Sequence, residues 1–399
     1  MILSVIVFSL FAADGGRSWS GYRGDNGDSV ATAVRKLPLE WSTEKNIAWK
    51  VDLPGYGQSS PVVWRGVVYV TSIDGPAKEK LRLHAFSLKD GKLRWTREFA
   101  SSAPEKVHDR LSKAAPTPSV DAKGVYAFYE SGDLIAATHK GETRWHRKLG
   151  SEYGPFQTNH GLGSSIRLAF GKVFVFLSHM GPSALLAVDP ASGKDVWKAE
   201  LPKSPSFTTP AAIKHKDQEM VLISAGGGAA AYDAATGRQL WSRPGKGGRG
   251  YGVPSPSISG STVVIPSSEK GGTIAFSLNK PSENLYISPN ATTEFSAPLI
   301  HDGLVYMINA VGAVFCFDLA TGTEHYTTRL TGSHWASAIA VEGRVYFFGL
   351  EGKTTVVAAG KEFKKIAENT LPVEGRVYGV AAVEDTLLIR TGKQLYAIR

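Results

Sequence analysis

The stretch VLISAGGGAAAYDAATGRQLW at Val221–Trp241 holds two short apolar runs around a glycine turn, then an Asp-to-Gly step and a closing tryptophan. Runs rich in Val, Leu, Ile, Ala and Tyr are typical of β-strands, and the glycine that ends Asp233–Gly237 permits the positive φ of a tight hairpin. Variants of this phrase recur at Leu83–Trp95, Leu134–Trp145, Leu185–Trp197 and Val314–Tyr326. Because the phrase returns at roughly 40–50 residues, the sequence predicts a repeat architecture.

Composition indicates one globular protein rather than a disordered or disulfide-rich chain. The 399 residues are 42% hydrophobic and 20% charged, with a formal net charge of +9. The basic residues are spread in short clusters such as KEFKK at Lys361–Lys365, which favours a solvated surface and no nucleic-acid partner. Attraction to an anionic envelope surface or polyanion is the alternative. Cys316 is the one cysteine, so no internal disulfide can form, and its alternating context VFCFD predicts a small core residue.

The N-terminus divides into two segments ahead of the repeats. Met1–Ala13 is apolar and ends in small residues, so it resembles the hydrophobic part of a secretory signal, although a basic leading region is missing; a buried strand is the alternative. It is too short to span a bilayer, and no later stretch is long and apolar enough for a transmembrane helix. Residues 14–45 are polar and glycine-rich, and predict an extended lead-in that packs on a surface.

Residues 46–399 predict a single domain of repeated units. Each unit has the same order of a Ser/Thr/Ala-Pro step, four strands and an Asp/Lys-Gly hairpin before the last strand. The units span about 58–95, 115–145, 163–197, 207–241, 253–287, 295–326 and 336–366, and residues 377–399 supply only three strands. The fifth unit has lost the closing tryptophan.

The three-stranded last unit predicts how the domain closes. The strand NIAWKVDL at Asn46–Leu53 can pair with Gln394–Ile398 as the missing fourth strand, which leaves no exposed edge between the termini. Eight units of about 44 residues each fall within the range for propeller blades. We therefore expect an all-β, eight-bladed β-propeller of four-stranded antiparallel sheets, closed by its N-terminal strand.

Tryptophans occur at the same phase on the last strand of consecutive units. A large flat ring at that position can fill the wedge between adjacent blades. We expect this structural role for Trp49, Trp95, Trp145, Trp197 and Trp241.

The phrase D-x-x-T-G-x-x-x-W, at Asp233–Trp241 and loosely at Asp318–Tyr326, resembles the repeat of pyrroloquinoline-quinone (PQQ) dehydrogenase propellers and of BamB-like envelope proteins. The segments 37–41, 46–50, 53–55 and 59–64 are similar to PQQ-binding-like propeller repeat proteins of bacterial envelopes. This resemblance covers about residues 19–399, and it implies the fold more strongly than the function.

The dehydrogenases of this family use adjacent cysteines, a calcium ion and a catalytic Asp. Cys316 stands alone, and acidic residues such as Asp90 and Asp189 fall in hairpins, where a turn-forming side chain explains them. No metal-binding motif and no G-x-S-x-G nucleophile motif occurs. We therefore expect no cofactor, no metal and no catalytic residue, although PQQ with calcium is the alternative.

The segments just before each first strand should lie on one face around the central channel. They carry exposed aromatics mixed with amides, histidines and an arginine, which suits a peptide or small-ligand surface; packing that simply plugs the channel is the other interpretation. The candidate residues are Tyr56, Gln58, Arg110, Gln157, His160, Tyr251, His334 and Trp335.

The prediction is therefore an exported, monomeric, BamB-like scaffold of the periplasm or cell envelope that binds an envelope protein or peptide. The alternative is a protein that binds PQQ or a sugar-like ligand in the channel, or a quinone-dependent oxidoreductase.

Overall fold

The computed structural model describes residues 18–105, 112–203, 205–225, 228–245, 252–266 and 272–399. These residues form eight antiparallel sheets arranged as the blades of a propeller, which confirms the predicted fold. The first strands of neighbouring blades contact one another and enclose the channel.

The strands follow the chain from one blade to the next. Two N-terminal strands, β1 (Ser18–Trp19) and β2 (Ile47–Asp52), come before the repeats. Blade 1 contains β3 (Val62–Trp64), β4 (Val67–Asp74), β5 (Lys80–Ser87) and β6 (Leu93–Ala100), and blade 2 contains β7 (Ser119–Asp121), β8 (Gly124–Phe128), β9 (Asp133–Ala137) and β10 (Thr143–Lys148). A short helix, α1 (Leu149–Tyr153), leads to blade 3, with β11 (Arg167–Ala169), β12 (Lys172–Leu177), β13 (Ser183–Val188) and β14 (Asp195–Leu201). Blade 4 contains β15 (Ala211–His215), β16 (Gln218–Ala225), β17 (Gly228–Asp233) and β18 (Gln239–Arg243).

The second half of the ring repeats this order. Blade 5 contains β19 (Ser257–Ser259), β20 (Thr262–Ile265), β21 (Thr273–Ser277) and β22 (Lys280–Ser288). Blade 6 contains β23 (Leu299–His301), β24 (Leu304–Ile308), β25 (Ala313–Asp318) and β26 (Glu324–Arg329), and blade 7 contains β27 (Ile339–Val341), β28 (Arg344–Phe348), β29 (Lys353–Ala358) and β30 (Lys365–Thr370). Blade 8 contains β31 (Val377–Val383), β32 (Thr386–Thr391) and β33 (Gln394–Ile398).

The ring closes as the three-stranded last unit predicts. Strand β2 completes blade 8 by pairing antiparallel with β33, with Trp49 opposite Ala397 and Val51 opposite Leu395. The first and last segments of the repeat region therefore share one sheet.

Aromatic rings on the outer strands join each blade to the next. Trp95, Trp145 and Trp197 each lie opposite an alanine of the third strand, beside a register shift. Each indole Nε1 donates a hydrogen bond to a carbonyl in the hairpin of the following blade, at 2.9, 3.2 and 3.1 Å respectively. A Cβ added to the hairpin glycine would stand within 2.6–2.7 Å of the ring, so only glycine allows this contact.

The fifth blade, which has no closing tryptophan, uses a tyrosine at the same position. Tyr286 lies opposite Ala275 and against Gly322 of blade 6. Trp241 of blade 4 instead meets Phe276 of blade 5 edge-on, with ring centroids 5.7 Å apart.

Hydroxyl side chains in the Ser/Thr/Ala-Pro steps form a second connection near the channel. The amide N–H of one step donates to the hydroxyl of the step in the following blade. Four such bonds are Ser60 N to Thr117 Oγ1 (3.0 Å), Thr117 N to Ser165 Oγ (2.9 Å), Thr209 N to Ser255 Oγ (2.9 Å) and Ala297 N to Ser337 Oγ (3.0 Å). The recurring hydroxyl therefore satisfies a buried backbone donor across a blade boundary.

The described part of the lead-in, from Ser18 onward, packs against the strands that form the wall of the channel. Strand β1 pairs with β3, and the guanidinium of the buried Arg23 reaches the carbonyl oxygens of Pro256 (3.4 Å) and Pro298 (2.6 Å) in blades 5 and 6. Farther along, Ala31 N donates to Ala340 O of blade 7 at 2.9 Å. The lead-in thus crosses the channel and ties blade 1 to the opposite side of the ring.

Candidate functional site

The segments leading into the first strands lie at one end of the channel, together with the turns between second and third strands. We call this end the loop face. Tyr56 of such a segment forms a β-bridge with Ile73 at the end of β4, and the amide of Gly57 donates to Gly392 O of blade 8 at 2.9 Å. Loops of neighbouring blades therefore support one another at the loop face.

Four aromatic side chains form a continuous row on the loop face, one from each of blades 6, 7, 8 and 1. We call Phe295, Trp335, Tyr378 and Tyr56 the aromatic row. Ring centroids are 4.5 Å apart for Phe295 and Trp335, 6.0 Å for Trp335 and Tyr378, and 6.2 Å for Tyr378 and Tyr56. The two tyrosine hydroxyls are 2.9 Å apart. All four rings are partly exposed, so the row is a preformed surface with apolar faces and polar tips.

Two cations accompany the row. Arg376 lies over the ring of Trp335 at 5.1 Å from its centroid, and Lys113 lies over Tyr56 at 5.2 Å. Both are cation–π contacts, which hold the charged groups beside the rings. Burial and the hydrogen bond with Tyr378 raise the pKa of Tyr56 well above its usual value, so the Tyr56 hydroxyl stays protonated at neutral pH.

A buried arginine supports the row from below. Arg390 donates to Ser59 Oγ at 2.8 Å and to Thr71 O at 2.7 Å, and burial lowers its pKa to about 9. Its hydrogen-bond partners among the described residues are hydroxyl and carbonyl oxygens, with no carboxylate among them. Its hydrogen bonds to blade 1 fix the position of β32 beneath Tyr56.

A second group of side chains lies on the loop face between blades 2 and 4. Phe156 packs edge-on against His179 with centroids 5.2 Å apart, and the amide of Gln157 donates to His179 Nδ1 at 3.2 Å. His160 lies beside Phe207 at 6.4 Å. These residues do not join the aromatic row in a single cluster.

The predicted site residues therefore fall into different surroundings. Tyr56 and Trp335 belong to the aromatic row, and Gln58 accepts a hydrogen bond from Lys113 N at 2.9 Å beside it. His334 is only 2% exposed, and burial lowers its pKa to about 4, so it is a neutral residue behind the surface. Gln157 and His160 lie in the second group, while Arg110 and Tyr251 are outside the described residues.

Sequence reasoning missed two members of the row and its exposed cation, Arg376. One signal was available, because Phe295 stands two residues before Ala297, as Trp335 stands two residues before Ser337. The hydrogen bond from Ala297 N to Ser337 Oγ makes those positions equivalent in adjacent blades. No comparable spacing marks Tyr378.

The dehydrogenase resemblance implies a cofactor site with a pair of cysteines and a calcium ion. In the described parts of the chain, no three His, Cys, Asp or Glu side chains come together as metal ligands. Cys316 is buried with its Sγ 3.7 Å from Gly360 O, and burial raises the pKa of its thiol to about 11. These residues do not fit the cysteine pair and calcium site that the resemblance implies.

Solved structures with the same architecture include BamB and several dehydrogenases. BamB from Moraxella catarrhalis is 15% identical with a TM-score of 0.66, and the match covers 88% of this chain and 99% of that chain. A europium-containing methanol dehydrogenase is 10% identical with a TM-score of 0.72, covering 96% and 98% of the two chains. Quinohemoprotein alcohol dehydrogenase from Comamonas testosteroni is 11% identical with a TM-score of 0.69, covering 96% and 81%. At these identities the likeness concerns the fold alone.

No curated protein has a sequence significantly similar to this chain. Among the described residues, no helix has the length and apolar character that crossing a membrane requires. The family model described as outer membrane protein assembly factor BamB matches residues 16–159 and 138–370. The chain therefore belongs to the BamB family of β-propellers.

Proposed function

We propose that this protein is a non-catalytic scaffold of the cell envelope, and that a protein or peptide partner binds its loop face. The observation that carries the proposal is the aromatic row, in which four partly exposed rings from four consecutive blades touch in sequence. Export to the periplasm or envelope is part of the proposal. It is supported by the apolar segment Met1–Ala13 and by membership of a family described as an outer membrane assembly factor.

The chemistry of the row suits a macromolecular partner. Aromatic and arginine side chains supply much of the binding free energy at protein interfaces, because they bury large areas while losing little conformational freedom. The rings pack against one another, and cation–π contacts hold Arg376 and Lys113 beside them. Binding therefore immobilises few additional side chains and loses little conformational entropy. A partner segment that carries apolar and acidic side chains would complement this surface.

The test is a pull-down from envelope extracts with immobilised protein and quantitative mass spectrometry. We expect the double variant Trp335→Ala/Tyr378→Ala to lose partners that the unchanged protein retains. The matched control is Lys194→Ala, an exposed residue of the blade 3 hairpin at the opposite end of the channel, which should retain them. Retention of every partner by the double variant, or capture of no partner by the unchanged protein, would reject the proposal.

The second candidate is a protein that binds PQQ or a sugar-like ligand in the channel. A cavity of about 380 Å³ between the lead-in and blades 3–5 favours it, with apolar walls that include Ile213 and Ile258 beside Asp28 and Lys214. Absorbance and mass spectrometry of the protein after addition of PQQ and calcium test the quinone form. The absence of bound quinone would reject it, and the same titration with a sugar tests the other form.

A further inference from the structure

A cavity of about 330 Å³ opens on the loop face between blades 1 and 2, and it shares no lining residue with the aromatic row or the channel cavity. Its wall combines the turns after β4 and β8 with the loops that follow β6 and β10. Five of the fifteen lining residues carry hydroxyls, and the others include one ammonium, two carboxylates and one aromatic ring. The residues used below are Lys78, Glu105, Glu130, Ser102, Ser131, Phe156 and Thr158.

The ammonium of Lys78 has hydrogen-bonding capacity left over. Lys78 is only 4% exposed, yet its Nζ lies 3.7 Å from Glu130 Oε1, 3.6 Å from Glu105 Oε2 and 3.5 Å from Ser112 O. All three distances exceed the 2.7–3.2 Å of a good hydrogen bond, so a better placed acceptor could still bind this donor. The hydroxyl of Ser112, also buried, has no hydrogen-bond partner among the described residues.

The carboxylate of Glu130 is held by the protein on one side. Both of its oxygens accept from Ala114 N, at 3.1 and 3.0 Å. Burial raises the pKa of Glu130, and Lys78 opposes that rise. The ammonium of Lys78 lies beside two carboxylates, those of Glu105 and Glu130, so a free anion meets no uncompensated positive charge in this cavity.

The hydroxyls around the cavity have defined donor and acceptor roles. Ser102 and Ser131 donate to the buried carboxylate of Asp133 at 2.8 and 2.6 Å, which leaves their oxygens as acceptors. Thr158 accepts from Gly161 N at 2.8 Å, which leaves its O–H free to donate. Donors and acceptors fixed by the protein therefore face one small space.

One wall of the cavity is apolar. The ring of Phe156 packs over Gly132, where an added Cβ would stand 2.3 Å from the ring, and edge-on to His179. A partly exposed ring held in place beside polar groups can cover the C–H face of a ligand while the polar groups fix its orientation.

From these observations we propose that the cavity between blades 1 and 2 binds a neutral, hydroxyl-rich small molecule, a mono- or disaccharide. Sugar hydroxyls both donate and accept, so they match the free donors of Lys78 and Thr158 and the free acceptors of Ser102 and Ser131. The apolar face of a sugar ring would lie against Phe156. The site shares no residue with the aromatic row.

Saturation-transfer NMR with glucose, maltose and lactose tests the proposal, with acetate and methylammonium as charged probes. We expect saturation transfer to at least one sugar and to neither ion. Gly150 lines the cavity with ordinary contacts to Phe156, so Gly150→Leu should fill the space without backbone strain and weaken sugar binding by about tenfold or more. Thr158→Val should do the same by removing the donor, while Thr158→Ser should retain binding.

The matched control is Phe207→Ala, which truncates another partly exposed ring of the loop face outside this cavity. Circular dichroism confirms that each variant is folded before binding is compared. Transfer to no sugar, transfer to an ion instead, or unchanged sugar binding in folded Gly150→Leu or Thr158→Val would each overturn the proposal. Binding lost equally in Phe207→Ala would also overturn it.

Discussion

The contact between Trp145 and Gly193 predicts a large and specific cost for adding one methyl group. Gly193 has φ +73°, and its added Cβ would lie 2.7 Å from Cδ2 of the indole in the preceding blade. The ring cannot move freely, because its Nε1 donates to Pro190 O at 3.2 Å. For Gly193→Ala we expect about 1–2 kcal/mol from backbone strain and about 1–3 kcal/mol from overpacking.

Gly171 in the same blade is a matched control. Its φ is +69°, and nothing lies within 4 Å of an added Cβ. Gly171→Ala should therefore cost only the backbone strain of about 1–2 kcal/mol. Urea denaturation followed by far-ultraviolet circular dichroism measures the free energy of unfolding of both variants. Gly193→Ala should have a lower unfolding midpoint than Gly171→Ala, with the same slope against urea concentration.

A double-mutant cycle tests the assigned cause. In a Trp145→Leu background the ring is absent, so Gly193→Ala should cost no more than Gly171→Ala, which gives a coupling of about 1–3 kcal/mol. Equal destabilisation by the two glycine substitutions in the unchanged protein, or no coupling in the cycle, would refute the view that indole packing on the hairpin glycine joins the blades.

Three other predictions concern closure, the hydroxyl connections and acid. Trp49→Ala should lower the free energy of unfolding by about 3–5 kcal/mol, because it empties the wedge between the closing blade and blade 1; a loss below 1 kcal/mol by urea denaturation would contradict this. Thr117→Val should cost about 1–3 kcal/mol by leaving the buried Ser60 N–H without an acceptor, whereas Thr117→Ser should cost little in the same assay. Burial lowers the pKa of the His84 imidazole to about 3 in the folded protein. Its contribution to the free energy of unfolding is therefore fully present above the unfolded pKa of about 6.5, and it is lost by about 1.4 kcal/mol per pH unit as the pH falls from 6.5 toward 3. Thermal melts should show a shallower decline over that window in His84→Gln, and an unchanged decline would rule out this histidine as the cause.

The fold could be predicted well from the sequence because the residues that join the blades belong to a short motif that recurs along the chain. The hairpin glycine recurs at fixed spacing from the closing tryptophan, which packs on the hairpin glycine of the following blade. The missing fourth strand of the last unit indicated that β2 pairs with β33. That Tyr286 takes the place of the closing tryptophan in blade 5 was harder to predict. A tyrosine replaces the tryptophan there, and β22 pairs with β21 through two register shifts.

The course of the lead-in and the composition of the site were less accessible. Arg23 donates to the backbone carbonyl oxygens of Pro256 and Pro298. Every residue has a backbone carbonyl, so the amino-acid sequence does not reveal which ones accept these hydrogen bonds. Tyr56 and Tyr378 are brought together only when the ring closes, so their contact has no local pattern. The cavity between blades 1 and 2 likewise depends on loops whose packing follows from the finished ring.

The strand pair that completes blade 8 joins residues about 350 positions apart, since Ile47 faces Ile398. Its formation must await synthesis of nearly the whole chain, and until then β2 has no partner and the wedge beneath Trp49 is unfilled. Such long-range pairing makes folding slow and prolongs the time during which apolar strands can aggregate. We therefore expect the nascent chain to depend on holding factors until its final strand is available.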